Sequence, residues 1–244
     1  MGQVIDLVQA REALYGKPAR ISVSLKRLAR ENRRELSRSF PYMRFWLMTL
    51  SPAEYGHFLR LHLTLRETLE SHFQALGGRF DVVNLLLDEH KKFALADYLS
   101  PANHKANLIR RDLAALGLPT TLTGPTNVKL SELITYIKRT AQVYSVALLG
   151  VVYMLEQNLA SAGEVIAANL RQNHGLPDSA LNYLTAFHGR KRELWQFSQA
   201  LDTITDFQTQ ANVVIAATIT YELHRELLDP HCMRRSLEAM NRAE

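Results

Sequence analysis

The stretch that decides the reading of this chain is "LGVVYMLEQNLASAGEVI", residues 149–166. Its apolar residues recur at helical spacing and no proline interrupts it, which predicts the middle of a helix. Yet it carries a run of tiny side chains, Ala160-Ser161-Ala162-Gly163, and glycine inside a helix costs about 1 kcal/mol relative to alanine. A helix bare on nearly every side at one point lets something approach closely. That something is either another helix or a flat ligand lying against the backbone.

Working outward, the rest of the chain also reads as helices. A basic amphipathic segment runs from Ile21 to Ser39. Ser51-Pro52-Ala53-Glu54 has Ser as N-cap, Pro at the first helical position and Glu three residues after the cap. The helix it opens is expected to run to Leu76 and stop at Gly77-Gly78. Further helices are expected over Phe80–Leu99 and over Ala102–Leu116, the latter closed by Gly117. After the loop "TTLTGPTN", a long helical region from Leu130 to Asn173 is expected to break near Tyr144-Ser145 and to end at Gly175. Pro177-Asp178-Ser179 marks another start, and Arg190–Asp202, Asp206–Leu228 and a short tail after Pro230 complete the series. No strand and no repeat of fixed period is predicted. The expectation is an all-α, single-domain multi-helix bundle over 1–244, with 1–20 as an N-terminal extension and 230–244 as a C-terminal tail.

Composition bounds the function. Hydrophobic residues make up 47% of 244, and only 11 glycines and 8 prolines interrupt them, which suits a sizeable helical core. The single cysteine, Cys232, excludes an internal disulfide framework. Residues 1–16 lack a signal-peptide core, and no stretch approaches about 20 uninterrupted apolar residues. A cytoplasmic protein with no membrane partner is therefore expected. The formal net charge of +5 favours anionic partners only weakly. No GxxxxGK[ST], GxGxxG, CxxC, HExxH or GxSxG motif is present. The nine histidines are scattered; His57 and His62 stand about 140° apart round a helix axis and share no face. The basic residues Lys26, Arg27, Arg30, Arg33, Arg34 and Arg38 form either a solvated face partly paired with Glu31 and Glu35, or a set of guanidinium forks for ligand carboxylates. With no helix-turn-helix or aromatic stacking platform beside them, no nucleic-acid partner is expected.

Four segments, in order, resemble the haem oxygenase superfamily, especially its bacterial biliverdin-producing branch. They are "SFPYMRFWLMTLSPAEYGHFLRLHLTLRETLE", "NLIRRDLAALGL" (similar to RxDLxxLG), "LLGVVYMLEQNLASAGEVIAANL" (similar to LGxLYVLEGSxLGGxVI) and "ALNYLTAFHGRKRELWQFSQALD". Together they span roughly residues 25–228. The resemblance implies an all-α fold in which haem lies between a proximal and a distal helix, with an electron donor as partner if oxidative haem degradation occurs. It places Gly150, Tyr153, Ala160, Ser161, Ala162 and Gly163 on the distal wall, and Arg30, Arg33 and Arg34 beside the carboxylates of haem or a similar small-molecule ligand.

Two departures qualify this. The family's proximal LRxxTxxxH motif meets "SLKRLARENRREL" here. Anchoring on Leu25 puts Ala29 at the threonine and Arg33 at the histidine, whereas anchoring on "PYMR" puts Arg34 there. Arginine has no lone pair to give iron. In the distal helix the glycine pair becomes Ala162-Gly163, displaced by one residue, which turns a helix face by about 100°. Haem oxygenase-type oxidation is thus expected to be weak or absent, and a non-catalytic member of the fold or a partner-binding helical domain stands as an alternative. A related non-haem-iron reading needs an H-x3-D-x2-H set, but after His188 the other two places hold Arg192 and Trp195. With only Glu156 and Glu67 or Glu70 to add, no di-iron centre is expected. Glu156 is instead expected to be a buried carboxylate paired with a basic residue.

Overall fold

The computed structural model describes residues 20–39, 47, 49–76, 84–87, 91–94, 98–122, 127–204 and 206–241. The N-terminal extension apart from Arg20, the Gly77-Gly78 stop and the "PYMR" segment lie outside them.

Among the described residues the architecture is helical: α1 (Ile21–Ser39), α2 (Pro52–Leu76), α3 (Lys105–Ala115), α4 (Val128–Val143), α5 (Leu148–His174), α6 (Lys191–Ala200), α7 (Phe207–Leu227) and α8 (Pro230–Asn241). The N-terminus of α2 forms the reciprocal cap expected of its sequence. Ser51 donates its N–H to Glu54 Oε2 at 2.9 Å, and the Glu54 N–H returns to Ser51 Oγ at 3.3 Å. At the start of α4, Asn127 Oδ1 accepts from Lys129 N at 2.9 Å and Leu130 N at 3.2 Å. The chain breaks at Tyr144, passes through a 3-10 turn at Ser145–Ala147 and enters α5. That helix ends at Gly175, whose φ of 64° is the left-handed conformation glycine adopts without steric cost.

Two expectations are corrected. The span 80–99 is not one helix. Asn84–Leu87 and Lys91–Ala94 pair antiparallel, Asn84 with Ala94 and Leu87 with Lys91. Short apolar runs such as "NLLL" are ambiguous by periodicity alone, and pairing between the two arms decides this one. Nor does Pro177 open a regular helix. A 3-10 turn at Asp178–Ala180 gives way to turns as far as Arg190. The cause is Asp112 on α3, whose carboxylate accepts the N–H groups of Asn182 and Tyr183, each at 2.8 Å. Those two donors would otherwise continue a helical ladder, and a completely buried carboxylate holds them instead.

The core is one contiguous apolar cluster running through α1 to α8. Helix α5 lies at its centre and packs most extensively against α7. By length and composition it is apolar enough to cross a membrane, with a mean hydropathy of 1.2 over its most apolar window, but 67% of that window is buried inside the protein. The two glycines of α5 serve close packing. A Cβ on Gly150 would sit 2.0 Å from the Val213 carbonyl oxygen of α7, and one on Gly163 would sit 2.2 Å from that of Leu184.

Candidate functional site

Helices α1, α2, α5 and α7, with the turn at residues 183–184, enclose a cavity of about 360 Å³. Its inner walls are Phe58, Met154, Leu155, Leu159, Ile166 and Leu184; Arg33, Gln157, Ser161, Ala162 and Arg225 form its partly exposed rim. That size falls within the roughly 300–1,000 Å³ of small-molecule sites, which are mostly apolar with a few placed polar groups.

The candidates from the sequence divide. Arg33, Ser161, Ala162 and Gly163 line the cavity, and Ala29 joins them one turn before Arg33. Arg33 donates Nε to the Ala29 carbonyl at 3.3 Å and forms no ion pair among the described residues. Arg30 and Arg34 are corrected: they are exposed on α1 and do not line the cavity; Arg34, one residue on, stands about 100° round the helix axis from Arg33. Gly150 and Tyr153 are also displaced from the expected wall, because Gly150 faces the α7 backbone and Tyr153, 2% exposed, is packed in the core. Burial pushes the Tyr153 phenol up to about 12, with Arg33 opposing weakly. Ala160 packs against the core rather than lining the cavity.

Sequence reasoning missed a hydrogen-bonded polar feature of the wall. His62 on α2 and His224 on α7 approach Nε2 to Nε2 at 2.9 Å. His62 Nδ1 lies 2.9 Å from the Phe58 carbonyl oxygen, and His224 Nδ1 lies 3.2 Å from Asn158 Nδ2 of α5. Burial holds both rings neutral: it drives His62 well below the ordinary histidine value and His224 down to about 3. A proton on His62 would also be opposed by His224 and then by Arg66, and one on His224 by Arg66. Neutrality fixes the tautomers. A carbonyl only accepts, so His62 carries its proton on Nδ1. Its Nε2 lone pair must then accept from His224 Nε2–H, and His224 Nδ1 accepts from the Asn158 amide. No single-sequence signal links residues 62, 158 and 224, since they meet only through the packing of three helices.

Behind this wall, Arg66 Nη1 meets Glu156 Oε1 at 2.5 Å, with both side chains under 5% exposed. Burial, the largest single influence, would lower the Arg66 pKa, but Glu156, Tyr183 and Glu70 together outweigh it and leave the guanidinium above its ordinary value. Glu156 is thus the paired buried carboxylate the sequence suggested. Glu70 accepts the Lys105 N–H at 2.7 Å and so caps α3, whereas Glu67 pairs with Arg110 at the surface. His188 is exposed beside Glu164 at 3.7 Å, and Trp195 is 46% exposed. Among the described residues, no three His, Cys, Asp or Glu side chains gather in a metal-holding group.

No protein-family model matches the chain, and comparison with curated proteins gives no significant match.

Proposed function

We propose that this protein has a haem-oxygenase-like fold and binds a flat, largely apolar small molecule of the tetrapyrrole class between α1 and α5, without family-type oxidation of haem. The observation that carries the reading is the cavity of about 360 Å³ between Ala29 and Arg33 on one side and Ser161–Gly163 on the other. These are the two segments for which the sequence resemblance implies a ligand between them. The small side chains of α5 leave a shallow face, the apolar walls favour burial of a ring system, and Arg33 offers a rim cation to a carboxylate.

The residues present do not fit an iron porphyrin held in the family manner. Of the two alignments for the proximal position, only Arg33 lines the cavity, and a guanidinium has donors alone. No oxidative step is therefore assigned to this site.

The test is titration of the purified protein with metal-free protoporphyrin IX, followed by its fluorescence. One-to-one saturable binding is expected, weakened by R33A and abolished by A162W in a protein whose far-ultraviolet circular dichroism is unchanged. Absence of saturable binding, or binding indifferent to A162W, would overturn the reading.

A further inference from the structure

The histidine pair on the cavity wall has a bonding pattern with a consequence for ligand choice. Metal coordination by histidine needs the lone pair of a neutral imidazole nitrogen. The two rings have four nitrogens. Two carry protons, donated to the Phe58 carbonyl and to the partner ring; two carry lone pairs, occupied by the partner ring and by the Asn158 amide. Both rings line the cavity, yet neither offers it a nitrogen.

We propose that His224 masks His62: by capping the His62 Nε2 lone pair, it confines the cavity to ligands that bring no metal in need of an axial nitrogen. This specificity role rests on the reading of the cavity as a site for a flat apolar ligand. A metal reaching for His62 must break the N–H···N bond. It would leave the His224 N–H buried without an acceptor, and His224 is only 5% exposed. Burying an orphaned donor is unfavourable and so opposes coordination. The mask is directional. His62 Nδ1 stays fixed on the Phe58 carbonyl whatever occupies position 224, so removal of the His224 ring leaves the Nε2 lone pair uncapped at the cavity wall.

Haemin and metal-free protoporphyrin IX serve as paired probes of the unaltered protein, H224A, H224Q and the double variant H62L/H224A. The unaltered protein should bind the two porphyrins with affinities within about threefold of each other and show no histidine-ligated haem spectrum. H224A should bind haemin at least about tenfold more tightly than the metal-free ring and show histidine ligation, lost in H62L/H224A. H224Q, whose amide can still donate to His62, should stay masked. A histidine-ligated spectrum in the unaltered protein overturns the proposal, as does a folded H224A with no preference for iron. Failure of the metal-free porphyrin to bind the unaltered protein overturns the cavity reading instead. The mask is then decided by nitrogen-15 NMR without ligand: a coupling across the His62–His224 N–H···N bond supports it and the absence of that coupling overturns it, as also when H224A does not fold.

Discussion

Replacing Gly150 with alanine sets two effects of known size against each other. Helix propensity alone predicts a gain, because glycine in a helix interior is about 1 kcal/mol less favourable than alanine. The surroundings predict a loss. The added Cβ would lie 2.0 Å from the Val213 carbonyl oxygen and 3.0 Å from the Ala217 nitrogen, both backbone atoms of α7. Comfortable non-bonded separations are about 3.5–4.0 Å, so the Val213 contact is short by about 1.5 Å. No rotamer change can relieve it, and α5 and α7 must part along the most extensive helix contact among the described residues. Overpacking typically costs about 1–3 kcal/mol, and a backbone obstacle belongs at the top of that range. The net expectation is a destabilisation of about 2 kcal/mol, after the propensity gain of about 1 is deducted. For a chain of this size that lowers Tm by about 4–8 °C. Urea denaturation followed by circular dichroism, with calorimetry for Tm, measures it. Gly56→Ala is the control: its Cβ would meet Leu118 Cδ1 at 2.4 Å, the end of a half-buried side chain that can rotate away. A G150A protein as stable as the unaltered one, or no less stable than G56A, would refute the steric argument.

R66M should cost about 3–5 kcal/mol by leaving Glu156 buried and unpaired, while R66M/E156L recovers most of that loss in the same urea titration. D112A should cost about 2–4 kcal/mol through the orphaned N–H groups of Asn182 and Tyr183; faster amide exchange at those two positions would locate the damage. S51A should cost about 1 kcal/mol through loss of the α2 cap, measurable as a lower urea midpoint. The pH dependence follows from His57, His62 and His224. His57 is held at about 4 by burial first and Arg60 second, and His224 at about 3. A depressed folded pKa means that the unfolded chain binds more protons below about 6.5. Stability should therefore be full above that pH and fall as pH drops towards the folded values, with a shallower slope in H57L.

What the sequence revealed and concealed follows from the range of the interactions concerned. The α2 cap, the break at Tyr144 and the stop at Gly175 depend on residues within a turn of one another, so local chemistry announces them. The strands 84–87 and 91–94 depend on pairing with each other, and the irregular segment after Ala180 depends on Asp112, remote in sequence from the donors it takes. The resemblance pointed to Arg33 and Ser161–Gly163, which do line one cavity. It could not separate Arg33 from Arg34, because that distinction is a rotation about the helix axis set by which face of α1 meets the core. The run Ala160–Gly163 admits either another helix or a ligand, and the resemblance sets Gly150 on the same wall; both Gly150 and Gly163 stand against backbone carbonyl oxygens. A small residue in a sequence records close approach without naming what approaches.

The central place of α5 also sets a timetable for synthesis. Helix α5 is complete at His174, but the helix that covers it most extensively, α7, ends at Leu227. At about 5–20 residues per second, a nascent chain carries that apolar helix without its main cover for several seconds. During that interval it has the length and composition of a membrane span and lacks its main cover. Chains cut short before α7 should therefore collect as aggregates or chaperone-bound species rather than as smaller folded fragments. The quality of production would then depend more on the speed and completeness of translation past Leu227 than on the final stability of the fold.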